Sequence, residues 1–180
     1  MEEITLFDKT FVPYIKNAEI ESAIDALAAR VNKDFENTDS VPIFLCVLNG
    51  AVMFTAAMMK KLNFTAQLVS IKVSSYEGTQ STGTVLIPMG LTGSVEDRDV
   101  IIFEDIVDTG TTILALKELL KKKGARSVRI CTMLLKPDVY DKPDKLDYVG
   151  MEIPNNFIVG YGLDYNEIGR NLPDIYTLKK

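Results

Sequence analysis
The stretch VIIFEDIVDTGTTI, residues 100–113, constrains the fold more than any other part of the chain. Val100, Ile101, Ile102 and Phe103 form an apolar, β-branched and aromatic run, the pattern of a strand buried on both faces of a parallel sheet. Glu104 and Asp105 interrupt the run and Ile106 and Val107 resume it, so the acidic pair is not a plain strand exit. After Asp108 come Thr109, Gly110, Thr111 and Thr112, small and hydroxylated, leading into the helical pattern Leu114, Leu116, Leu119, Leu120. Carboxylates thus end a strand where a helix is about to begin. Free N–H groups and the dipole of that helix favour an anion, so the loop suits a phosphate. The carboxylates beside it suit sugar hydroxyls, a metal ion or a proton. The alternative is ordinary turn and cap chemistry for Asp-Thr-Gly-Thr, which the acidic pair inside an apolar run disfavours.

The rest of the chain supplies the frame for this unit. Residues 17–31 read as a helix, with Asn17 as its N-cap and Ile20, Ile24, Leu27 and Val31 on one face. Residues 41–47 read as a buried strand and 51–62 as the helix after it, with Met53, Met58 and Met59 as core filler. Further strands are expected at 66–73, 100–107, 128–135, 148–153 and 157–159, and a helix at 111–123 stopped by Gly124. This alternation implies an α/β fold, a mostly parallel twisted sheet flanked by helices with right-handed crossovers. Ligands of such sheets bind beyond the strands' C-terminal ends, so the loops at Asn49, Asp108, Lys136 and Asp164 are expected to converge on one edge. Residues 74–93, rich in Ser, Thr and Gly, are longer than a plain connection and read as either a functional lid or an idle loop.

Composition narrows the chemistry. The 180 residues suit one domain, and no apolar run approaches the roughly 20 residues of a membrane span. The acidic start Met1-Glu2-Glu3 reads as neither signal nor transit peptide, so a cytoplasmic protein is expected. Histidine is absent, which removes histidine-based triads and the commonest zinc ligand together. Acid–base work must fall to Asp, Glu, Lys, Tyr or Cys, and a metal would be a hard cation held by oxygens. A net charge of −5 argues against nucleic acid as a partner. Cys46 and Cys131 sit in apolar runs without a CxxC and read as buried thiols.

Residues 100–113 resemble the phosphoribosyl-diphosphate (PRPP) signature of type I phosphoribosyltransferases. Other motifs narrow the resemblance to the hypoxanthine (hypoxanthine-guanine) phosphoribosyltransferases: Leu48-Asn49-Gly50, Ser74-Ser75-Tyr76 with Gln80-Ser81-Thr82-Gly83, Leu135-Lys136-Pro137, the run from Phe157 to Glu167, and Arg170-Asn171-Leu172-Pro173. They stand in the family's order from about Phe44 to the C-terminus.

The resemblance implies transfer of a 5-phosphoribosyl group from PRPP to a 6-oxopurine, releasing pyrophosphate and a purine nucleotide, with Mg²⁺ as cofactor. It implies one domain with a core at about 36–150, a hood from about 1–16 and 151–180, and a flexible loop at about 74–93 with Ser75 and Tyr76 at its tip. Asp108, Thr109, Gly110, Thr111 and Thr112 would cradle the 5′-phosphate, and Glu104 and Asp105 would face the ribose hydroxyls and help hold Mg²⁺. As strand neighbours, those two are expected on opposite faces. Asp108 is the candidate acid or base at the purine N7. Lys136 would donate to the purine O6, Phe157 would stack on the base, and the Ile158 backbone would meet its exocyclic position. Asp164 would bind Mg²⁺ through water beside the purine. Leu48, Asn49, Gly50 and Arg170 would take the pyrophosphate, with a cis peptide at the Leu48–Asn49 step. Several relatives carry a basic residue where this chain has Asn49; Lys72 reads as a surface lysine first and as a replacement charge second. A homodimer or homotetramer is expected. A non-catalytic PRPP sensor that binds nucleic acid is the competing class, and a guanine–xanthine preference the competing specificity.

Overall fold
The computed structural model describes residues 2–76, 85–89, 91 and 93–179. In chain order its elements are β1 (Ile4–Leu6), β2 (Lys9–Ile15), α1 (Asn17–Asp34), β3 (Ile43–Leu48), α2 (Val52–Lys61), β4 (Gln67–Tyr76), β5 (Val85–Met89), β6 (Asp99–Val107), α3 (Thr111–Lys122), β7 (Ser127–Leu135), β8 (Tyr148–Glu152), β9 (Ile158–Val159) and β10 (Ile175–Leu178). Six strands form the main sheet in the order β5-β4-β3-β6-β7-β8. All are parallel except β5, which pairs antiparallel with β4.

The central strands read as continuous apolar runs because both of their faces are covered. Phe44, Ile101, Phe103, Cys131 and Met133 pack with Ile24, Leu27, Phe54 and Met58 of α1 and α2. Their strand neighbours Ile43, Leu45, Val100, Ile102 and Ile130 pack with Ile113, Leu116 and Leu120 of α3. The two-residue period of the pleat thus divides one apolar run between two cores. Both cysteines are buried.

Helix ends depart from expectation in one place. Asn17 is the first residue of α1 rather than its cap: its N–H donates to Asp174 Oδ1 at 2.7 Å and its side chain to the Pro173 carbonyl at 3.1 Å. A carboxylate from the far end of the chain thus satisfies one of the orphan donors at this helix start. Glu19 Oε1 also accepts the Lys16 N–H at 3.1 Å. At the other end of α3, Gly124 N–H donates to Lys121 and Ala125 N–H to Leu120, a Schellman stop where the glycine was expected to end the helix.

A second, antiparallel sheet of order β1-β2-β10-β9 joins the two ends of the chain into a hood, around Phe11, Val159 and Tyr176. The strands at 4–15 and 175–178 escaped the sequence pattern. Pro13 interrupts β2, and it is tolerated there because β1 pairs only with residues 9–11 and the partner β10 is bulged beside it. The expected strand at 157–159 belongs to this hood and not to the main sheet.

The expected loop at 74–93 also needs correction. Ser75 and Tyr76 lie within β4 and pair with Leu86 and Val85 of β5, so they are not at a loop tip. The apolar, β-branched segment Val85-Leu86-Ile87 offers β4 a hairpin partner and lengthens the sheet. The expected lid residues Gln80-Ser81-Thr82-Gly83 lie outside the described residues.

Phe103 is fully buried, with its ring 4.9 Å from Phe44 and 5.7 Å from Phe54. Phe103→Ala is expected to cost about 3–5 kcal/mol in urea unfolding. A loss below about 1 kcal/mol would mean that the core collapses around the gap.

Candidate active site
The chain leaves β3 through α2 toward β4 on one side, and leaves β6 through α3 toward β7 on the other. Strand order therefore reverses between β3 and β6, the switch point where open α/β sheets hold ligands. Backbone pairing between these two strands ends at Cys46 and Phe103, although β3 runs on to Leu48 and β6 to Val107. A cavity of about 430 Å³ opens in the gap. Its walls include Leu48, Asn49 and Gly50 from the first loop, Glu104 and Asp105 from β6, residues 108–112 from the second loop, and Arg170 from the hood side.

Glu104 and Asp105 both line this cavity, which corrects the expectation that strand alternation would send them to opposite faces. Beyond Phe103 the strand has lost β3 as a neighbour, so residues of either parity reach the open space. Desolvation, followed by the charge of Asp105, pushes the Glu104 carboxyl well above the ordinary carboxylate range. Desolvation likewise raises Asp105, against the pull of its hydrogen bonds and of Arg170. Asp105 Oδ1 accepts the Ile106 N–H at 2.9 Å. The carboxylate rests against the bare Cα of Gly50, where any Cβ would collide with it. That contact explains a glycine at this step of the first loop.

The second loop passes into α3 at Gly110, whose φ of 75° belongs to the left-handed region. Gly110 has no side chain to cap α3, and only the Thr111 N–H meets a side chain, Thr109 Oγ1 at 3.4 Å, so the donors of Thr112 and Ile113 face the cavity wall. Asp108, well placed in sequence to cap, instead pairs with Lys136, Oδ1 to Nζ at 2.9 Å. Lys136 follows β7, is 8% exposed, and is fixed by its own N–H donating to the Val107 carbonyl at 3.0 Å. The expected purine-side lysine and the phosphate loop are thereby in direct contact.

The Leu48–Asn49 peptide is cis, as the resemblance implied. Arg170 Nη2 pairs with Asp164 Oδ1 at 2.6 Å, and Nη1 donates to the Gly162 carbonyl at 2.7 Å. Asp164 reaches the site through Arg170 and follows a hood strand, which corrects its expected place on the edge of the main sheet. Phe157 and Ile158 lie in the hood outside the cavity wall. Ile158 is buried in β9; Phe157, 46% exposed, packs at 6.1 Å on Phe11 and 5.9 Å on Tyr165. Lys72 is exposed, opposite Leu48 in the register, while its neighbour Val73 lines the cavity. The pleat turns Lys72 away, so it does not replace the charge missing at Asn49. Sequence reasoning missed Tyr140, whose ring covers Gly110. Its only signal was an aromatic residue four positions after Lys136.

A family model described as the phosphoribosyl transferase domain matches residues 14–166. The chain belongs to the phosphoribosyltransferase family. It is 40% identical over 166 residues to a hypoxanthine-guanine phosphoribosyltransferase of Staphylococcus epidermidis, covering 92% of each chain. It is 41% identical over 162 residues to the protein of that name from Staphylococcus aureus, covering 89% of each. The crystal structure of a Staphylococcus aureus hypoxanthine phosphoribosyltransferase superposes with a TM-score of 0.83 at 36% identity, covering 93% of this chain and 91% of that one. A Bacillus anthracis hypoxanthine-guanine phosphoribosyltransferase, with HEPES in its active site, gives 0.85 at 29% identity, covering 93% and 98%. The phosphoribosyltransferase fold therefore extends over nearly the whole chain.

The donor set at the cavity fits Mg²⁺ of the kind this family generally requires. Glu104 and Asp105 offer oxygen only, and no group of three or more acidic, Cys or His side chains among the described residues would form a full cage. Mg²⁺ commonly takes one or two carboxylates and completes its shell with water and phosphate oxygens.

Because both carboxyls are harder to ionise when folded, the native state holds more protons than the unfolded chain above the ordinary carboxylate range. Stability of the ligand-free enzyme is expected to be greatest while they are protonated and to fall as pH rises through their elevated values. Glu104→Gln should flatten that fall in urea midpoints measured from roughly pH 4 to 8. Equal slopes for the two proteins would show that Glu104 ionises freely in the native state.

Proposed function
We propose that the enzyme transfers the 5-phosphoribosyl group of PRPP to hypoxanthine, and also to guanine, forming IMP or GMP and pyrophosphate in purine salvage. The observation that carries this reading is a single switch-point cavity in which a carboxylate pair, an uncapped helix start and an arginine meet. These are the complements of ribose hydroxyls, a 5′-phosphate and a pyrophosphate. The names of the staphylococcal and bacillary relatives support the same activity.

Bond breaking at the anomeric carbon runs ahead of bond making, so the site must hold the sugar while positive charge develops on it. Glu104 and Asp105 take the ribose 2′- and 3′-hydroxyls. Residues 108–112 hold the 5′-phosphate through backbone N–H groups and threonine hydroxyls. The backbone of Leu48, Asn49 and Gly50, with Arg170, receives the pyrophosphate. Mg²⁺, when bound, offsets the charge on the phosphates. Glu104 and Asp105 are its candidate ligands. Asp164, whose Oδ1 pairs with Arg170 and whose Oδ2 accepts the Glu167 N–H at 2.7 Å, would help hold the ion through water.

On the base side, Asp108 moves the proton at N7 and Lys136 donates to O6, with their ion pair orienting both. Adenine would set its 6-amino donor against the Lys136 ammonium, donor facing donor, so the lysine selects 6-oxopurines over adenine. Phe157 stacks on the base with the ring face that packing leaves open, and the Ile158 backbone meets the exocyclic position. An activated sugar must be kept from water, the task of the expected lid, whose residues Gln80-Ser81-Thr82-Gly83 lie outside the described residues. The reading includes a cytoplasmic enzyme that assembles as a homodimer or homotetramer, built as a core at about 36–150 under a hood from the two termini.

The test is steady-state turnover with PRPP and Mg²⁺ against hypoxanthine, guanine, xanthine and adenine. Turnover with hypoxanthine and none with adenine is expected, and the guanine and xanthine rates then rank the bases. No turnover with any base, in protein that calorimetry shows to bind PRPP, would leave a sensor and not an enzyme. Asp108→Asn should lower kcat by about 10²–10⁴ while PRPP affinity changes little. An unchanged kcat would remove Asp108 from proton transfer.

A further inference from the structure
Tyr140 stands outside every motif that the proposed function uses, yet it touches two of them. Its ring occupies the space over Gly110 that a side chain at that position would fill, and a Cβ there would collide with the ring edge. Gly110 is the left-handed residue at which the phosphate loop turns into α3. Whatever fixes its Cα fixes the direction of the N–H groups that follow.

Tyr140 is itself fixed on three sides. Its N–H donates to the Lys136 carbonyl at 3.0 Å, and the Val139 N–H donates to the same oxygen at 3.1 Å, so residues 136–140 form one tight turn. The Tyr140 hydroxyl donates to the Asp144 carbonyl at 2.5 Å. The ring packs against the α3-side core that contains Ile113, Leu116 and Leu135. Desolvation, and then the charge of Asp144, raise the phenol above its ordinary value, so it stays a proton donor at neutral pH.

We propose that Tyr140 is a positioning residue for the phosphate loop, its ring bracing Gly110 from a turn anchored on Lys136. Resting on the function proposed above, it assigns one side chain to hold the phosphate-side loop in register with the base-side lysine. Lys136 meets that loop twice: through its ion pair with Asp108, and through the Tyr140 ring on Gly110. The ring carries no charge and offers the phosphate no donor, so its effect is on where the loop sits and not on the bond that breaks. Small displacements of a positioned group have large kinetic effects, on the order of 10²-fold for about 1 Å.

Three variants separate bracing from simple packing. Tyr140→Leu keeps apolar volume but loses the flat ring, Tyr140→Ala removes both, and Tyr140→Phe keeps the ring without its anchor to Asp144. For Tyr140→Leu we expect the KM for PRPP to rise about tenfold, with kcat and the KM for hypoxanthine within about twofold of the parent. Tyr140→Phe should recover most of that loss. A merely structural residue would lower Tm in all three without splitting the two KM values. An unchanged KM for PRPP in Tyr140→Leu would overturn the proposal, as would an equal rise in both KM values. Calorimetric titration with PRPP alone keeps the two readings apart. If the parent binds PRPP but transfers it to no base, the enzyme reading fails, and a tenfold weaker Kd in Tyr140→Leu still upholds the brace. If the parent does not bind PRPP, both are overturned.

Discussion
Backbone pairing between β3 and β6 stops at Cys46 and Phe103, and the cavity exists because it stops there. Below that level the two strands share a ladder and bury Phe44, Leu45, Ile101 and Ile102 on both faces. Above it they separate, and each continues into a loop that the sheet no longer dictates. The divergence follows from topology: one crossover leads toward β4 and the other toward β7, so the loops are carried apart. The buried lower half lets the upper half hold polar groups at fixed distances without collapsing onto them.

What fills the gap would count as defects in an ordinary core. Two neighbouring carboxyls share a desolvated space that makes both harder to ionise, and the charge of Asp105 adds to the effect on Glu104. A helix begins without a side-chain cap although an aspartate stands near. These features cost stability in the free protein and become favourable when hydroxyls, phosphate or a cation meet them. Site and core oppose one another, and the apolar interiors around Phe103 and Leu116 supply the surplus that makes the site tolerable.

Legibility differed by region for physical reasons. The central strands and the three helices were readable because their burial is local and periodic, and the acidic pair stood out because it broke that pattern. The hood was readable only through resemblance. Its strands are short, one contains Pro13, and their partners lie at the opposite end of the chain. Asn17 was misassigned as a cap because Asp174, which takes its N–H, is far away in sequence. Glu104 was misjudged for one reason. Alternation predicts which side a residue faces, but not whether a neighbouring strand still covers that side.

By itself the sequence determined the α/β class, the small, hydroxylated loop after a doubly buried strand, and the exclusion of histidine chemistry, since each depends on residue type and short-range period. Tertiary structure decided which groups meet. It set Glu104 and Asp105 in one cavity, paired Lys136 with Asp108, brought Arg170 from the hood, and laid Tyr140 on Gly110. Those contacts depend on where strand pairing ends and on how the two chain ends join, which no local pattern encodes, because the partners are separated along the chain and meet only once the sheets have formed.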